Sequence, residues 1–176
     1  MASVAEIDGL RGPAGPPPPP LDQYTGAEAA YSVRLLRTAY TGSCMRVRED
    51  GGNTETDIGF DSNGDLDTAA IASHCGANNG FIRYWYDQSG NAVDAGQATQ
   101  TSQPKIYDSS TGIIEEGAAG KEKPALDFDG TNDFFDVPST QWSNGQMFAS
   151  MVLSRDASGS YYWNSNASIF SLLYTS

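Results

Sequence analysis

The sequence predicts a mostly β protein, an antiparallel β-sandwich with one or two short helices. From Phe81 onward, apolar and aromatic segments recur every ~8 to 15 residues between clusters of Gly, Asn, Ser, Asp and Pro, a spacing typical of sandwiches. Aromatic residues make up 11% of the chain and glycine occupies 19 of its 176 positions, a mixture typical of all-β folds. The predicted strands are 81–88, 96–100, 105–108, 125–130, 134–138, 147–155, 160–164 and 168–174.

The segment before these strands predicts a helix followed by a strand. Residues 25–28 read Thr-Gly-Ala-Glu, which has the form of a capping box, and good helix formers follow them. These features predict a helix from Ala27 to Thr38. From Met45 to Arg48, apolar and basic side chains alternate, which indicates a half-buried strand.

An acidic turn follows, with carboxylate or amide side chains at alternate positions. Calcium loops place oxygen ligands in this way, so the candidate Ca²⁺ ligands are Asp61, Asn63, Asp65 and Asp67. We expect no other cofactor. In an EF-hand the glycine is sixth in the loop, whereas here Gly64 is fourth. We therefore favour a solvated turn in which Asp65 or Asp67 caps a short helix through residues 69–71.

The N-terminal segment differs from the rest in composition. Three consecutive Gly-X-Y triplets begin at Gly9, Gly12 and Gly15, and prolines continue to residue 20. Only glycine fits at the axis of a collagen triple helix. Three triplets do not hold such a helix alone, so the segment is either a trimer neck supported elsewhere in an assembly or a stiff spacer. We divide the chain into a docking peptide (1–8), a collagen-like and polyproline leader (9–20) and a sandwich domain (21–176) that we expect to lack its last strands.

Charge and cysteine content exclude several classes of partner and fold. The formal net charge of −12 repels phosphate backbones and anionic membrane surfaces, so we expect neither nucleic acid nor membrane as a partner. The N-terminal residues lack both the basic start and the apolar core that a secretion signal has. Cys44 and Cys75 are too few for a disulfide scaffold, and two buried free thiols are favoured over one bridge.

A strand ends in a polar turn at the run WYDQSGN, residues 85–91. Aromatic rings stack on the apolar faces of sugars while carboxylates and amides bind hydroxyl groups, so Trp85, Tyr86, Asp87 and Asn91 are the candidate carbohydrate-binding residues. The alternative is a structural corner, in which Asp87 and Asn91 bond to nearby backbone and Gly90 adopts a positive φ.

Residues 31–48 followed by YDQSGN resemble the amino-terminal half of the arabinofuranosidase catalytic-domain family. The run ALDFDGTND, residues 125–133, is similar to strands of the wider concanavalin-like lectin and glucanase superfamily. The resemblance implies a concanavalin-like jelly roll. That family's catalytic carboxylates lie downstream of YDQSGN and match no position here, so we expect no catalytic residues and no hydrolysis. A retaining glycosidase would need a pair of carboxyl groups. Candidates by residue type are Asp87, Asp127, Asp129, Asp133 and Asp136.

Collagen-like triplets before a lectin-like domain also resemble structural proteins of tailed phages, especially cyanophages. This resemblance implies a virion fibre, appendage or decoration protein, made in the host cytoplasm and displayed on the particle exterior. Its partners would be two further copies in a homotrimer, other virion proteins and host cell-surface polysaccharide. A carbohydrate-binding module and an arabinofuranosidase-like glycoside hydrolase are the two alternatives.

Overall fold

A computed structural model describes residues 17–138 in full and the backbone of residues 160–166 and 169–175. The strands of the main sheet are β1 (Met45–Glu49), β2 (Glu55–Ile58), β3 (Gly80–Trp85), β4 (Ala95–Gly96), β5 (Lys105–Asp108) and β6 (Gly112–Ile113). Their order in the sheet is β2-β1-β3-β5-β6, β4 also pairs with β3, and every pairing is antiparallel. The predicted mostly β, antiparallel fold with two short helices is confirmed, and it is consistent with a sandwich.

Strand β3 lies at the centre of the sheet. One of its edges pairs with β1, while the other pairs with β5 near its start and with β4 near its end. Cross-strand partners share a face of the sheet. One face is apolar and forms the core, in which the fully buried side chains include Met45, Val47, Ile58, Ile82 and Ile106.

The two helices are α1 (Pro20–Gln23) and α2 (Thr68–Cys75). The Asp67 carboxylate caps α2 by accepting a hydrogen bond from Ala70 N at 2.9 Å, as predicted. Helix α2 buries Ile71 and Cys75 against the core. Among the described residues, no helix is long and apolar enough to cross a membrane.

Cys44 and Cys75 are both buried and both free, which confirms the prediction of two buried thiols. Burial raises the pKa of the Cys44 thiol to about 12. Burial also raises the pKa of the Cys75 thiol, to about 11, with a contribution from Glu49. Both thiols are therefore protonated at neutral pH and poor nucleophiles.

The predicted helix from Ala27 to Thr38 is wrong, because this segment is extended and irregular. Its backbone groups find partners elsewhere in the chain: Ala30 N donates to the Asp87 carboxylate and Leu36 N donates to the Gln88 side chain. Local helix propensity yields here to hydrogen bonds that span more than fifty residues of sequence.

The remaining strand predictions have mixed outcomes. Segment 105–108 is a strand, whereas only Gly96 of segment 96–100 is in one. Segments 125–130 and 134–138 contribute single bridges, Asp127 to Lys105 and Asp136 to Gly96. Two hairpins complete the described strands: β7 (Glu115–Glu116) with β8 (Lys123–Pro124), and β9 (Ser160–Asn166) with β10 (Ile169–Thr175). The second hairpin confirms the predicted strands 160–164 and, from residue 169 on, 168–174. The prediction for 147–155, the docking peptide and the triplets at Gly9, Gly12 and Gly15 lie outside the described residues.

Candidate functional site

The face of the main sheet opposite the core carries charged and aromatic side chains, and we call it the polar face. Its cross-strand partners are Arg46 with Tyr84 and with Asp57, and Arg48 with Phe81. The Arg48 guanidinium lies 5.0 Å from the centre of the Phe81 ring, and the Arg46 guanidinium lies 5.9 Å from that of Tyr84. Cations over aromatic faces at these distances are mutually attractive.

A first cleft of about 490 Å³ opens at the Phe81 end of the polar face. This volume lies in the range of small-molecule sites. The lining residues are Arg48, Asp50, Asn53, Phe81, Gln100, Thr101, Gln103, Lys105, Asp127, Asp129 and Asp133. Nearly all of them have polar side chains, and Phe81 supplies an aromatic ring.

Arg48 is the central buried group of the first cleft, since only 4% of its surface is exposed. Its guanidinium donates to Gln103 Oε1 at 2.7 Å, to Asn53 Oδ1 at 2.8 Å and to the Gln100 carbonyl at 3.4 Å. These three acceptors are neutral, although buried cations usually have an anionic partner. Burial lowers the pKa of Arg48, and nearby Asp50, Glu55 and Glu49 oppose that effect.

The turn between β1 and β2 places Asn53 at the first cleft, and Glu49 fixes this turn. The Glu49 carboxylate accepts hydrogen bonds from the backbone of Thr54, Gly52 and Gly51 and from the Asn78 amide, at 2.7–3.0 Å. The Thr54 and Gly52 backbone N–H groups contribute most to lowering the pKa of Glu49, to about 2. The turn is therefore preorganised around a permanent negative charge.

The loop from Asp129 to Asp133 forms the opposite side of the first cleft. Asp129 accepts hydrogen bonds from the backbone N–H groups of Thr131, Asn132 and Asp133, and these outweigh burial and hold its pKa below the ordinary value. Asn132 Nδ2 donates to the Thr101 carbonyl at 2.8 Å and so connects the loop to the 3₁₀ turn Gln100–Ser102.

Asp133 differs from its neighbours, because it is buried and only 7% exposed. Its carboxylate accepts one hydrogen bond, from Asp129 N at 3.0 Å. Burial raises the pKa of Asp133 to about 6, with the charges of Asp129 and Asp127 acting in the same direction. The charge of the first cleft therefore changes in the mildly acidic range.

A second cleft, of about 360 Å³, opens at the other end of the polar face and includes Tyr86 and Asp57 among its lining residues. The Tyr86 hydroxyl donates to Asp57 Oδ1 at 2.7 Å. Arg46 donates to both oxygens of Asp57, at 2.7 and 2.8 Å, and thereby lowers the pKa of that carboxyl. Burial raises the pKa of Tyr40, which also lines this cleft, to about 12.

The structure separates the four predicted carbohydrate-binding residues. The Trp85 ring packs against the core beside Tyr31 and Phe135, and within the described part of the chain its indole N–H is buried without an acceptor. Only Tyr86 and Asp87 line a common cleft, the second one. Asn91 is exposed and donates to the Ala27 and Glu28 carbonyls.

The Asp87 carboxylate is only 4% exposed and is used within the chain. It accepts hydrogen bonds from the backbone of Ala30, Ser89 and Val93 and from the Ser89 hydroxyl. Gly90 has a φ of +100°. The bonds of Asp87 and Asn91 to backbone and the positive φ of Gly90, predicted for a structural corner, are confirmed.

The acidic turn uses its side chains for local structure. The Asp61 carboxylate accepts hydrogen bonds from the backbone N–H groups of Asn63 and Asp65, and Asp67 caps α2. Within residues 17–138, whose side chains are described, no group of three or more His, Cys, Asp or Glu side chains is arranged to hold a metal ion.

Sequence reasoning missed Arg48 and Gln103 as site residues. The alternation around Met45 placed Arg48 on a strand, but nothing local showed that it is buried or that a glutamine 55 positions later accepts its hydrogen bond. The usable signal was the DGGN turn after β1 and the DGTND turn after residue 128, which are two polar loops flanking one sheet.

The antiparallel sheet with polar clefts on one face belongs to a carbohydrate-related class of fold, as two comparisons show. The family model described as alpha-L-arabinofuranosidase B, catalytic, matches residues 21–159, and the chain belongs to this family. It is also similar to the crystal structure of an arabinofuranosidase complexed with arabinofuranosyl-alpha-1,2-xylobiose.

That structural match has a TM-score of 0.50 and 20% sequence identity, and it covers 62% of this chain. It shows that the fold is shared. The chain spans only about a quarter, 24%, of the length of that arabinofuranosidase chain. Among curated proteins, no sequence matches this chain.

Proposed function

We propose that this domain binds a neutral glycan in the first cleft. The observation that carries the proposal is the buried Arg48 guanidinium, which faces the cleft and is held by neutral acceptors. A guanidinium has five N–H donors, and three of them have acceptors among the described residues. The group is thus fixed in position and retains capacity to donate to a ligand.

The other lining groups suit sugar hydroxyls, which both donate and accept hydrogen bonds. Carboxylates such as that of Asp129 accept, Lys105 donates, and the amides of Gln100 and Asn53 do both. The Phe81 ring offers an apolar surface for C–H groups. This combination of few aromatic and many convergent polar groups supports a carbohydrate rather than an apolar ligand.

The charge of the first cleft favours a neutral ligand over an acidic one. Its lining includes the four carboxyls of Asp50, Asp127, Asp129 and Asp133 but only two cations, Arg48 and Lys105. The chain as a whole carries a net charge of −12. A uronate or a sulfated sugar would therefore meet a repulsive field.

The proposal is tested by calorimetric titration of the protein with arabinofuranosyl-α-1,2-xylobiose, the ligand of the related arabinofuranosidase, and with a glycan array. Gln100→Ala removes an exposed amide from the cleft and should weaken binding about fivefold, since one hydrogen bond contributes roughly 1 kcal/mol. Arg48→Met should abolish binding, with circular dichroism checking the fold. Gln23→Ala, an exposed amide outside both clefts, is the matched control.

Absence of binding by the wild-type protein to any glycan at millimolar concentration would refute the proposal. So would equal affinities of the Gln100→Ala and Gln23→Ala variants. Arabinose release by wild-type protein in the same samples would assign the domain to hydrolysis instead of binding.

We further propose that the leader displays this domain as a trimeric structural protein of a phage particle. The Gly-X-Y triplets at Gly9, Gly12 and Gly15 support this role, as does the acidic surface. Because three triplets do not hold a triple helix alone, we expect the trimer in the assembled particle, where a cryo-electron reconstruction should show three copies of the chain packed around residues 9–20. A monomeric full chain, both alone and in its native particle, would exclude the trimer.

A further inference from the structure

We infer that the second cleft is a further glycan subsite, and that the ligand is a polysaccharide chain lying along the polar face. This inference rests on the proposed function of the first cleft and adds the length and direction of the ligand. Neither Tyr86 nor the second cleft is needed to bind a single sugar unit in the first cleft.

The two clefts lie at the two ends of one strand. Phe81 lines the first cleft and Tyr86 lines the second, and β3 runs between them. A strand advances ~3.3 Å per residue, and a register shift in the pairing of β3 with β1 shortens the path, so the two aromatic residues are separated by roughly 13–17 Å along the strand. That distance exceeds the length of one sugar ring, so only an oligomeric ligand reaches both clefts.

Aromatic and planar groups are continuous between the clefts. The Tyr84 and Tyr86 rings are nearly parallel, with centroids 6.2 Å apart and an interplanar angle of 11°. The Arg83 guanidinium lies 4.8 Å from the centre of the Tyr84 ring, and Arg46 lies on the same ring at 5.9 Å. Because these rings and guanidinium planes stack on one another, the row is ordered in advance, and its guanidinium groups retain N–H donors for the hydroxyl groups of a ligand along the path between the clefts.

The second cleft also holds its polar groups in fixed positions. Arg46 orients Asp57 through two hydrogen bonds, and Asp57 in turn orients the Tyr86 hydroxyl. The Tyr40 hydroxyl donates to the Ser43 carbonyl at 2.8 Å. Ligand groups entering this cleft would meet side chains that are already ordered, which lowers the entropic cost of binding.

The test compares a short and a long probe by calorimetry: arabinose, a single sugar unit, and soluble arabinoxylan. Tyr86→Leu removes the ring from the second cleft and should weaken arabinoxylan binding at least tenfold, while the affinity for arabinose stays within twofold of wild type. Gln100→Ala should weaken both. Tyr24→Leu is the matched control, because Tyr24 is 74% exposed and lies outside both clefts.

A second variant, Tyr86→Phe, keeps the ring and removes the hydroxyl, so it should retain arabinoxylan affinity better than Tyr86→Leu if stacking matters. Thermal unfolding of each variant separates loss of binding from loss of fold. If Tyr86→Leu binds arabinoxylan as well as Tyr24→Leu does, or if both probes bind wild type equally, the extended site is refuted and the first cleft stands. If wild-type protein binds neither these probes nor any glycan on the array, both proposals fail.

Discussion

Replacing Gln88 with leucine should strongly destabilise the domain, because this buried amide fixes a distant segment of the chain. Gln88 is completely buried. Its Oε1 accepts a hydrogen bond from Leu36 N at 2.8 Å, and its Nε2 donates to the carbonyls of Ser32 and Arg34 at 3.0 and 3.1 Å. Leucine approximates the volume of glutamine but has neither donor nor acceptor, so all three backbone groups lose this partner.

The expected cost follows from these three hydrogen bonds. Each contributes about 1 kcal/mol net, and a buried group left without a partner costs ~1–3 kcal/mol. Two effects reduce the expected loss in the free energy of unfolding: water can reach one of the carbonyls, and the leucine buries an apolar side chain. We expect Gln88→Leu to lower the free energy of unfolding by about 3–4 kcal/mol, a large share of the roughly 5–15 kcal/mol typical of a domain.

The assay is urea denaturation followed by tryptophan fluorescence, together with amide hydrogen exchange of Leu36. In Gln88→Leu, the exchange rate of this amide should increase by more than the loss in the free energy of unfolding alone would cause. Gln23→Leu changes an exposed amide and should alter the free energy of unfolding by less than ~0.5 kcal/mol. A loss below about 1 kcal/mol in Gln88→Leu, with Leu36 exchange unchanged, would refute this account of how residues 27–38 are held.

Three further predictions concern buried ionisable groups. Asp87→Asn turns one acceptor oxygen into a donor facing Val93 N or Ala30 N, so it should lower the free energy of unfolding by roughly 2–4 kcal/mol in the same urea assay. Asp133 has a folded-state pKa of about 6 against an ordinary 3.8, so the folded state retains the proton longer. The contribution of Asp133 to the free energy of unfolding is fully present below pH ~4, and about 2–3 kcal/mol of it is lost as the pH rises through 6. Asp133→Asn should remove this pH dependence from unfolding curves measured between pH ~4 and ~8. Cys44 and Cys75 should react with a thiol reagent at pH 8 only after unfolding, and rapid native labelling would contradict their burial.

The sequence predicted those parts of the fold whose signals are local. The alternation of Met45 to Arg48 identified β1, and the capping chemistry of Asp67 identified the start of α2. Both signals lie within about ten residues of the element that they predict. The strand from Phe81 to Trp85 was recognised in the same way.

The predicted helix from Ala27 to Thr38 failed for a physical reason that local sequence does not contain. Helix propensities differ by less than 1 kcal/mol per residue. Here Asp87 and Gln88, 52–57 residues away, supply several hydrogen bonds to buried backbone of this segment. A sum of small local preferences does not outweigh such partners once the segment is packed against the sheet.

The site was less predictable than the fold, because its central group depends on burial. Arg48 alternates with apolar neighbours as any surface cation on a strand would. It becomes a site residue only because Gln103 and Asn53 enclose its guanidinium. The carboxyls of residues 127–133 were named as candidates by residue type, but their place opposite Arg48 follows from the bridge of Asp127 to Lys105.

Within the run WYDQSGN, some residues maintain the fold and one lines a cleft. Trp85 packs inward, and Asp87 and Gln88 are buried and hydrogen-bonded to residues 30–36, so these three side chains maintain the fold. Tyr86 alone presents its ring and its ordered hydroxyl to a cleft on the polar face. The motif therefore identifies the fold of a family rather than its ligand. Selectivity for a glycan would depend on the cleft residues outside the motif, above all Arg48, and these are the positions where relatives that bind different sugars should differ.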